Sequence, residues 1–186
     1  LDGLSVALTY REGRFTSAVT RGDGRVGEDV SPNIKTIKAL PLVLREPLSF
    51  SVRGEVLMPK EEFALLNRAQ EEAGEPLYMN PRNSAAGSVR QLDAKITASR
   101  SLALYCYDVL DRASAAPHLK TQTELLELLA RAGLPASPGF ARCASLDEVK
   151  AFLDAMLAKR HHLPFEIDGV VVKLDRLDWV DALGST

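Results

Sequence analysis

The segment Glu166-Ile167-Asp168-Gly169-Val170-Val171-Val172-Lys173 places acidic residues and a lysine in an apolar, β-branched run. Such residues favour strands, so we predict a final buried strand over 165–174. An unpaired charge in a buried strand is costly, which makes Asp168 and Lys173 candidate functional residues. They are five positions apart and would face opposite sides of a regular strand, so we expect a bulge at Gly169 to bring both to one side.

The block Leu1-Asp2-Gly3 stands at the other end of the sequence. One interpretation is the start of a β-hairpin. The other is a ligand site, because a glycine lets the backbone come close to a ligand.

Hydrophobic periodicity and turn residues predict the order of the elements between these two blocks. The predicted strands cover 4–10, 15–20, 48–56 and 102–110, with a hairpin turn at Glu12-Gly13. The predicted helices cover 33–37, 59–74, 84–92, the stretch from Thr121 to near Gly133, and the stretch after Ser145. Strands come first and the rest is mixed, which predicts an α+β domain with antiparallel sheets.

The composition is that of one ordinary globular domain, with 186 residues, 46% hydrophobic and 26% charged. No apolar run has the length of a membrane helix. The net charge of -2 means that any contact with DNA must come from a local group of arginines. Cys106, Cys143 and the three histidines show no metal-binding spacing, so we expect free thiols in a reducing cytosol.

Two charged motifs occur at predicted strands, one directly after a strand and one inside a strand. In Thr20-Arg21-Gly22-Asp23-Gly24, Arg21 is a candidate ligand for a ribose or a phosphate, and a plain glycine-rich turn is the alternative. An Arg-Gly-Asp adhesion motif is discounted because nothing else in the sequence is typical of secretion. In Val52-Arg53-Gly54-Glu55-Val56, Glu55 could accept hydrogen bonds from ribose hydroxyls, and an edge strand with its polar side in water is the alternative.

The block from Asn80 to Asp93 combines small residues with two arginines, Arg82 and Arg90. The stretch Ser84-Ala85-Ala86-Gly87-Ser88 is too small to build a core face and would permit close approach of a ligand. Helix N-termini and arginines bind phosphates well, so we favour a phosphate contact over a tight helix-packing site.

Two further positions have ordinary structural explanations beside functional ones. Tyr105 and Tyr107 should point to one face of a strand, where an aromatic ring could stack on adenine or simply pack in the core. Arg160 ends a predicted helix, where a cation complements the helix dipole.

Taken together, these blocks resemble the adenylation domain of bacterial NAD-dependent DNA ligase. The resemblance spans nearly the whole chain and includes Thr20-Arg21-Gly22-Asp23-Gly24-x-x-Gly27-Glu28-Asp29-Val30. The order and spacing of the blocks are specific, and the segment from Asn80 to Asp93 separates this family from ATP-dependent ligases. The resemblance implies a nucleotidyltransferase α+β domain over 1–186, with antiparallel sheets lining an adenylate pocket.

The resemblance also implies a nucleophilic lysine just before Leu1, a second lysine motif after Thr186, and no ligation by this chain alone. The substrates would be NAD and nicked double-stranded DNA, with Mg²⁺ as the metal ion and zinc only in a domain outside this chain. We expect a monomeric protein of the bacterial cytoplasm, associated with the nucleoid on DNA and not with a membrane.

The site residues that the resemblance implies fall into four groups. Asp2 and Gly3 would belong to the nucleophile motif, and Arg21 and Glu55 would hold the ribose. Arg82, Arg90 and Arg160 would meet phosphates of the nucleotide or the nicked strand. Tyr107 would lie near adenine, Lys173 would contact adenine or the α-phosphate, and Asp168 would help to place magnesium.

Two other functions remain open from the sequence. One is a non-catalytic adenylate- or DNA-binding module of the same fold, and a lysine before Leu1 would argue against it. The other is a ligase or capping enzyme that uses ATP or GTP, which fits Leu1-Asp2-Gly3 and the final segment but not the block from Asn80 to Asp93.

Overall fold

A β-hairpin begins the chain and forms one side of a four-stranded antiparallel sheet of order β2-β1-β3-β4. The computed structural model describes residues 1–22, 26–137 and 139–184. Its strands are β1 (Leu4–Arg11), β2 (Arg14–Thr20), β3 (Phe50–Leu57) and β4 (Ala103–Val109). The hairpin turn at Glu12 and Gly13 has φ values of 48° and 75°, the left-handed conformation that a two-residue hairpin loop favours. The mixed α/β architecture with an antiparallel sheet agrees with the prediction.

Eight α-helices and one 3₁₀ turn lie within the described ranges. They are α1 (Ser31–Ile34), α2 (Lys60–Ala73), α3 (Pro81–Val89), α4 (Ala94–Ala98), α5 (Arg112–Ala115), α6 (Gln122–Arg131), α7 (Leu146–Lys159), the 3₁₀ turn Arg160–His162, and α8 (Leu177–Leu183). The predicted ends of α2 and α6 are confirmed. Gly74 closes α2 with φ of 69°, and Thr121 and Glu124 form a capping box at the start of α6.

Alternation along the strands divides the sheet into an apolar face and a polar face. The apolar face packs against helices and includes Val6, Leu8, Val52, Val56, Leu104 and Cys106. Residues between them, such as Ser5, Glu55 and Tyr105, are only half-buried and point to the other side. The charged triplet in β3 is therefore explained by its geometry: Gly54 is in the core, and Arg53 and Glu55 flank it on the polar face.

The predicted boundaries of two helices are wrong. Helix α1 begins at Ser31, not Asn33. Helix α3 begins at Pro81, where we expected a loop, because the Asn80 side chain accepts the N–H of Asn83 and caps the helix.

The expectation that the small residues of α3 cannot build a core face is also wrong. Ala85 and Val89 are fully buried against the sheet, and Ser84 and Ser88 are almost so. The tight packing that we regarded as the alternative is what the structure has on this side of α3.

The prediction of a final buried strand is wrong as well. Residues 165–174 form no strand, and among them only Phe165 and Ile167 are buried. Val171 and Val172 have 79% and 65% of their surface exposed. A β-branched run becomes a strand only where another strand pairs with it, and none of the four described strands pairs with this segment.

Among the described residues, none of the helices has the length and apolar character that crossing a bilayer requires.

Candidate functional site

Glu55 is at the centre of the polar face of the sheet. It lies opposite Ser5 of β1 and opposite Tyr105 of β4. The Tyr107 hydroxyl is 3.5 Å from Oε2 of Glu55, to which it donates, and 3.3 Å from the Ser5 Oγ. Burial raises the pKa of Glu55, although the Arg82 charge, the Gly3 N–H and the Tyr107 hydroxyl oppose this effect. These donors can stabilise a carboxylate in a half-buried position.

The block Leu1-Asp2-Gly3 lies directly against β3. A Cβ on Gly3 would be 2.2 Å from the carbonyl oxygen of Val56, so no other residue fits there without a backbone shift. The Asp2 N–H donates to the Glu166 carbonyl across 3.3 Å. The chain start is thus held between β3 and the segment that carries Asp168, whose Oδ1 is 4.0 Å from the Leu1 nitrogen.

Lys173 approaches the same face from the far end of its segment. Its Nζ is 3.2 Å from Asp108 Oδ2 and 5.8 Å from the centroid of the Tyr107 ring. Lys173 therefore contacts Tyr107, a neighbour of Glu55. The predicted bulge at Gly169 is wrong, because residues 165–174 form no strand. A bulge lies in β4, where Cys106 pairs with Gly54 and Asp108 pairs with Arg53. Tyr107 is the extra residue of this bulge.

The two tyrosines of β4 have different surroundings. The Tyr105 ring packs on Phe165, with centroids 5.6 Å apart, in a small cluster that includes Leu57 and Ile167. Tyr107 has polar and charged neighbours instead. Packing thus accounts for Tyr105, whereas Tyr107 is the tyrosine whose ring and hydroxyl border Glu55 and Lys173.

Helix α3 presents one arginine near each end. Arg82, in the first turn, is 3.2 Å from Oδ1 of Asp2. Arg90, the C-cap residue, places its Nε 2.6 Å from Oε2 of Glu28. Eight residues at about 1.5 Å each separate the two along the helix by roughly 12 Å. A Cβ on the exposed Gly87 between them would meet no atom within 4 Å, so packing does not require that glycine.

Arg21 begins a tight loop beside β1. Its N–H donates to the Ser5 carbonyl across 3.2 Å, and its side chain is exposed. Gly22 has φ of 52°, and a Cβ on Gly27 would be 1.9 Å from the Thr20 carbonyl oxygen, so the turn requires both glycines. Asp23 and Gly24 of the predicted motif lie outside the described residues.

Arg160 follows the last residue of α7. Together with Ile167, Asp168 and Gly169 it lines a small cleft between α7 and the 165–174 segment. Its predicted position at a helix end is confirmed, and the fold brings it close to Asp168.

Asp168 is the residue that the resemblance assigns to magnesium. Within the described ranges, no three His, Cys, Asp or Glu side chains are grouped as metal ligands. Asp168 is 66% exposed, so its carboxylate is accessible. Magnesium is commonly held by one or two carboxylates, with phosphates and water as its other ligands, which fits Asp168.

Sequence reasoning missed Ser5 and Asp108, the partners of Tyr107 and Lys173. Ser5 had a usable signal, because it alternates with Leu4 and Val6 and so had to be on the polar face. Asp108 had no such signal in the sequence, because the β4 bulge decides which way its side chain points.

Comparison with known proteins shows the family of this chain. Residues 1–186 match the family described as the NAD-dependent DNA ligase adenylation domain. DNA ligases of Heliobacterium modesticaldum and Syntrophobacter fumaroxidans are each 49% identical over 100% of this chain, and one of Bacillus thuringiensis is 43% identical. The chain spans 28% of the length of each of these relatives. The chain therefore belongs to the family of NAD-dependent DNA ligase adenylation domains.

Proposed function

We propose that this chain is the catalytic adenylation unit of a DNA ligase that takes AMP from NAD and uses it to seal nicks. The observation that carries the proposal is the meeting of three separate segments at Glu55. The Gly3 N–H and the Arg82 charge act on Glu55, and the Asp2 N–H donates to the Glu166 carbonyl. Lys173 contacts Tyr107, whose hydroxyl donates to Glu55.

The reaction begins with a lysine that we place immediately before Leu1. Its amine attacks the α-phosphate of NAD, a phosphoramidate bond to AMP forms, and nicotinamide mononucleotide leaves. AMP then passes to the 5′-phosphate at a nick, and the 3′-hydroxyl displaces it to close the strand. The Leu1 nitrogen is 4.0 Å from Asp168, so the preceding residue would be joined to the chain beside this carboxylate.

The polar face of the sheet would form the adenylate pocket of a nucleotidyltransferase fold. Glu55 would accept hydrogen bonds from the ribose hydroxyls, with Arg21 at the other side of the sugar. The Tyr107 ring would lie near adenine. Lys173, held 3.2 Å from Asp108, would contact adenine or the α-phosphate.

Different arginines would bind the phosphates of the nucleotide and of the nicked DNA strand. Arg82 lies by Asp2 and would meet the phosphate that reacts, and Arg160 would serve a phosphate from the side of Asp168. Arg90, roughly 12 Å further along α3, would meet a phosphate of the nicked strand. Magnesium, held by Asp168 and the nucleotide, would neutralise phosphate charge during transfer.

We further propose that the protein acts as a monomer in the bacterial cytoplasm. Its relatives are bacterial DNA ligases. Both cysteines are free thiols, as is usual in a reducing compartment.

The deciding experiment incubates the full-length protein with NAD or with ATP and measures its intact mass. We expect the mass of one AMP to be added with NAD only, on the residue before Leu1, and to be absent after that residue is changed to alanine. Adenylation by ATP alone would assign the protein to another ligase class. Tight NAD binding without an adduct would favour a non-catalytic module.

A further inference from the structure

Helix α3 ends at Arg90 without a glycine in the left-handed conformation. The last carbonyl groups of a helix lack intrahelical partners, and a glycine in the left-handed conformation commonly resolves this. Here the C-cap is Arg90, with φ of −93° and ψ of 13°, and Gln91 follows it. The terminal carbonyls must therefore find other donors.

Two buried side chains from distant segments supply these donors. Thr97 of α4 donates its hydroxyl to the Ser88 carbonyl across 2.7 Å. Asn33 of α1 donates from Nδ2 to the Gln91 carbonyl across 2.8 Å, and also to the Thr97 Oγ1 across 2.8 Å. Asn33 and Thr97 are 7% and 1% exposed, so water does not replace them. The carbonyls on both sides of Arg90 are thus held by one connected network.

The network is fixed to the sheet through α1. The Ala18 N–H of β2 donates to the Ser31 Oγ across 2.8 Å, and the Val30 N–H donates to the Ala18 carbonyl across 2.9 Å. Asn33 follows within the same helix. The end of α3 is therefore tied to β2 through Thr97, Asn33 and helix α1. In the part of the chain that the structure describes, neither Thr97 nor Asn33 forms a hydrogen bond with Glu55 or Asp2.

An exposed ion pair joins the end of α3 to the segment just before α1, between Arg90 and Glu28 at 2.6 Å. Exposed pairs contribute little to fixing a geometry, and a phosphate would compete with Glu28 for the guanidinium. Loss of a buried donor, in contrast, leaves a carbonyl unsatisfied and costs more. The buried network is thus the part that can hold the Arg90 backbone when the side chain changes partner.

We infer that Asn33 and Thr97 are positioning residues for nick sealing, which act by holding Arg90 in register with a phosphate of the DNA strand. This inference rests on the proposed function. It adds that the binding of nicked DNA depends on a hydrogen-bond network beneath α3, whereas AMP transfer from NAD, at the Asp2 end of the helix, does not.

The test uses the full-length protein and three threonine variants. Thr97→Val removes the hydroxyl at nearly constant volume, and Thr97→Ser restores it. Thr36→Val is the matched control, because the Thr36 hydroxyl donates only to the Asn33 carbonyl of its own segment, across 2.7 Å. For each protein we would measure AMP transfer from NAD, and KM and kcat for sealing pre-adenylated nicked DNA.

We expect Thr97→Val to raise KM for the nick about tenfold, with AMP transfer from NAD within about twofold of the unaltered protein. Thr97→Ser and Thr36→Val should be close to the unaltered protein. If Thr97→Val does not fold, Asn33→Ser removes the tie to Gln91 and should give the same separation between the two steps.

A double variant distinguishes positioning from a general loss of stability. If Thr97 acts through Arg90, then Arg90→Ala combined with Thr97→Val should seal no worse than Arg90→Ala alone. Full addition of the two effects, an unchanged KM for the nick, or an equal loss in both steps would overturn the inference. Failure of the unaltered protein to seal pre-adenylated nicks would instead overturn the proposed function.

Discussion

Asp2 and Arg82 form an ion pair, with Oδ1 and Nη1 3.2 Å apart, that joins the start of the chain to the first turn of α3. The N-terminus of a helix attracts anions because its first N–H groups are unpaired and its dipole is positive there. A phosphate beside Asp2 would therefore meet both Arg82 and the start of α3. The carboxylate of Asp2 would keep the guanidinium at this end of α3 until such a phosphate binds.

Arg82→Ala should slow AMP transfer from NAD by about ten- to a hundredfold, because a charge-assisted hydrogen bond is worth roughly 1.5–3 kcal/mol. The measurement is the rate at which the full-length protein gains AMP. Arg68→Ala is the matched control, since Arg68 is exposed on α2 and removes the same charge. Equal slowing by both variants would mean that only net charge matters.

Arg90→Ala should spare AMP transfer from NAD more than nick sealing, because Arg90 lies at the far end of α3 beside Glu28. The comparison is the rate of AMP transfer from NAD against the rate of sealing by the pre-adenylated protein. If Arg90→Ala abolished the first rate and left the second unchanged, the roles assigned to the two arginines would be wrong.

Glu55→Ala should weaken adenylation itself, because every step uses the ribose that Glu55 is proposed to hold. A loss of about ten- to a hundredfold in the rate of AMP transfer from NAD is expected. Ser51→Ala is a suitable control, since Ser51 is a half-buried polar residue of the same strand and bonds the Thr9 hydroxyl at 3.3 Å. Normal adenylation by Glu55→Ala would remove Glu55 from the site.

Glu55→Gln should change how stability depends on pH. Burial raises the pKa of Glu55 above its usual 4.5, so the folded state binds its proton more tightly than the unfolded state. The stability that Glu55 adds through this tighter proton binding is fully present below pH 4.5 and is lost as the pH rises through the folded-state pKa. Relative to the unaltered protein, Glu55→Gln should therefore become more stable as the pH rises to 7, as measured by urea unfolding.

Glu124→Gln is the control for that experiment, because its stability relative to the unaltered protein should change with pH in the opposite direction. The backbone N–H groups of Lys120 and Thr121 lower the pKa of Glu124, so its stabilising effect is present at neutral pH and is lost in acid. This variant should be less stable than the unaltered protein at pH 7, and the difference should shrink as the pH falls. The same pH trend in both variants would contradict the assigned environments.

Asp168→Asn should retain the fold and slow AMP transfer. The side chain is 66% exposed, so the substitution removes charge at nearly constant volume without disturbing a core. Circular dichroism and thermal unfolding would check the fold, and the rate of AMP transfer at several magnesium concentrations would check the role. A rate that is unchanged at every magnesium concentration would rule out a role for this carboxylate.

Local signals in the sequence were sufficient for much of the fold. The turn at Gly13 and the capping box at Thr121 depend on neighbouring residues, so they could be predicted. Local signals could not decide whether residues 165–174 form a strand, because a strand needs a second strand to pair with. Helix α4 was missed because it has only five residues and little periodicity.

The site was predictable where residue type and spacing carry the information. Glu55 in an apolar strand and Arg82 beside a run of small residues stand out on that basis. The contact between Lys173 and Asp108 depends on the β4 bulge and on the path of a segment without regular structure. The network of Asn33 and Thr97 likewise joins residues 64 positions apart, which no local pattern reveals.

The two faces of β3 have a consequence for evolution and for engineering. Consecutive residues of this strand meet different requirements, since Val52, Gly54 and Val56 are buried in the core and Glu55 is proposed to hold the ribose. A lineage could therefore change its melting temperature through the buried residues while the proposed ribose contact stays fixed. For the same reason, a library that randomises only Val52 and Val56 would sample thermal tolerance without replacing that contact.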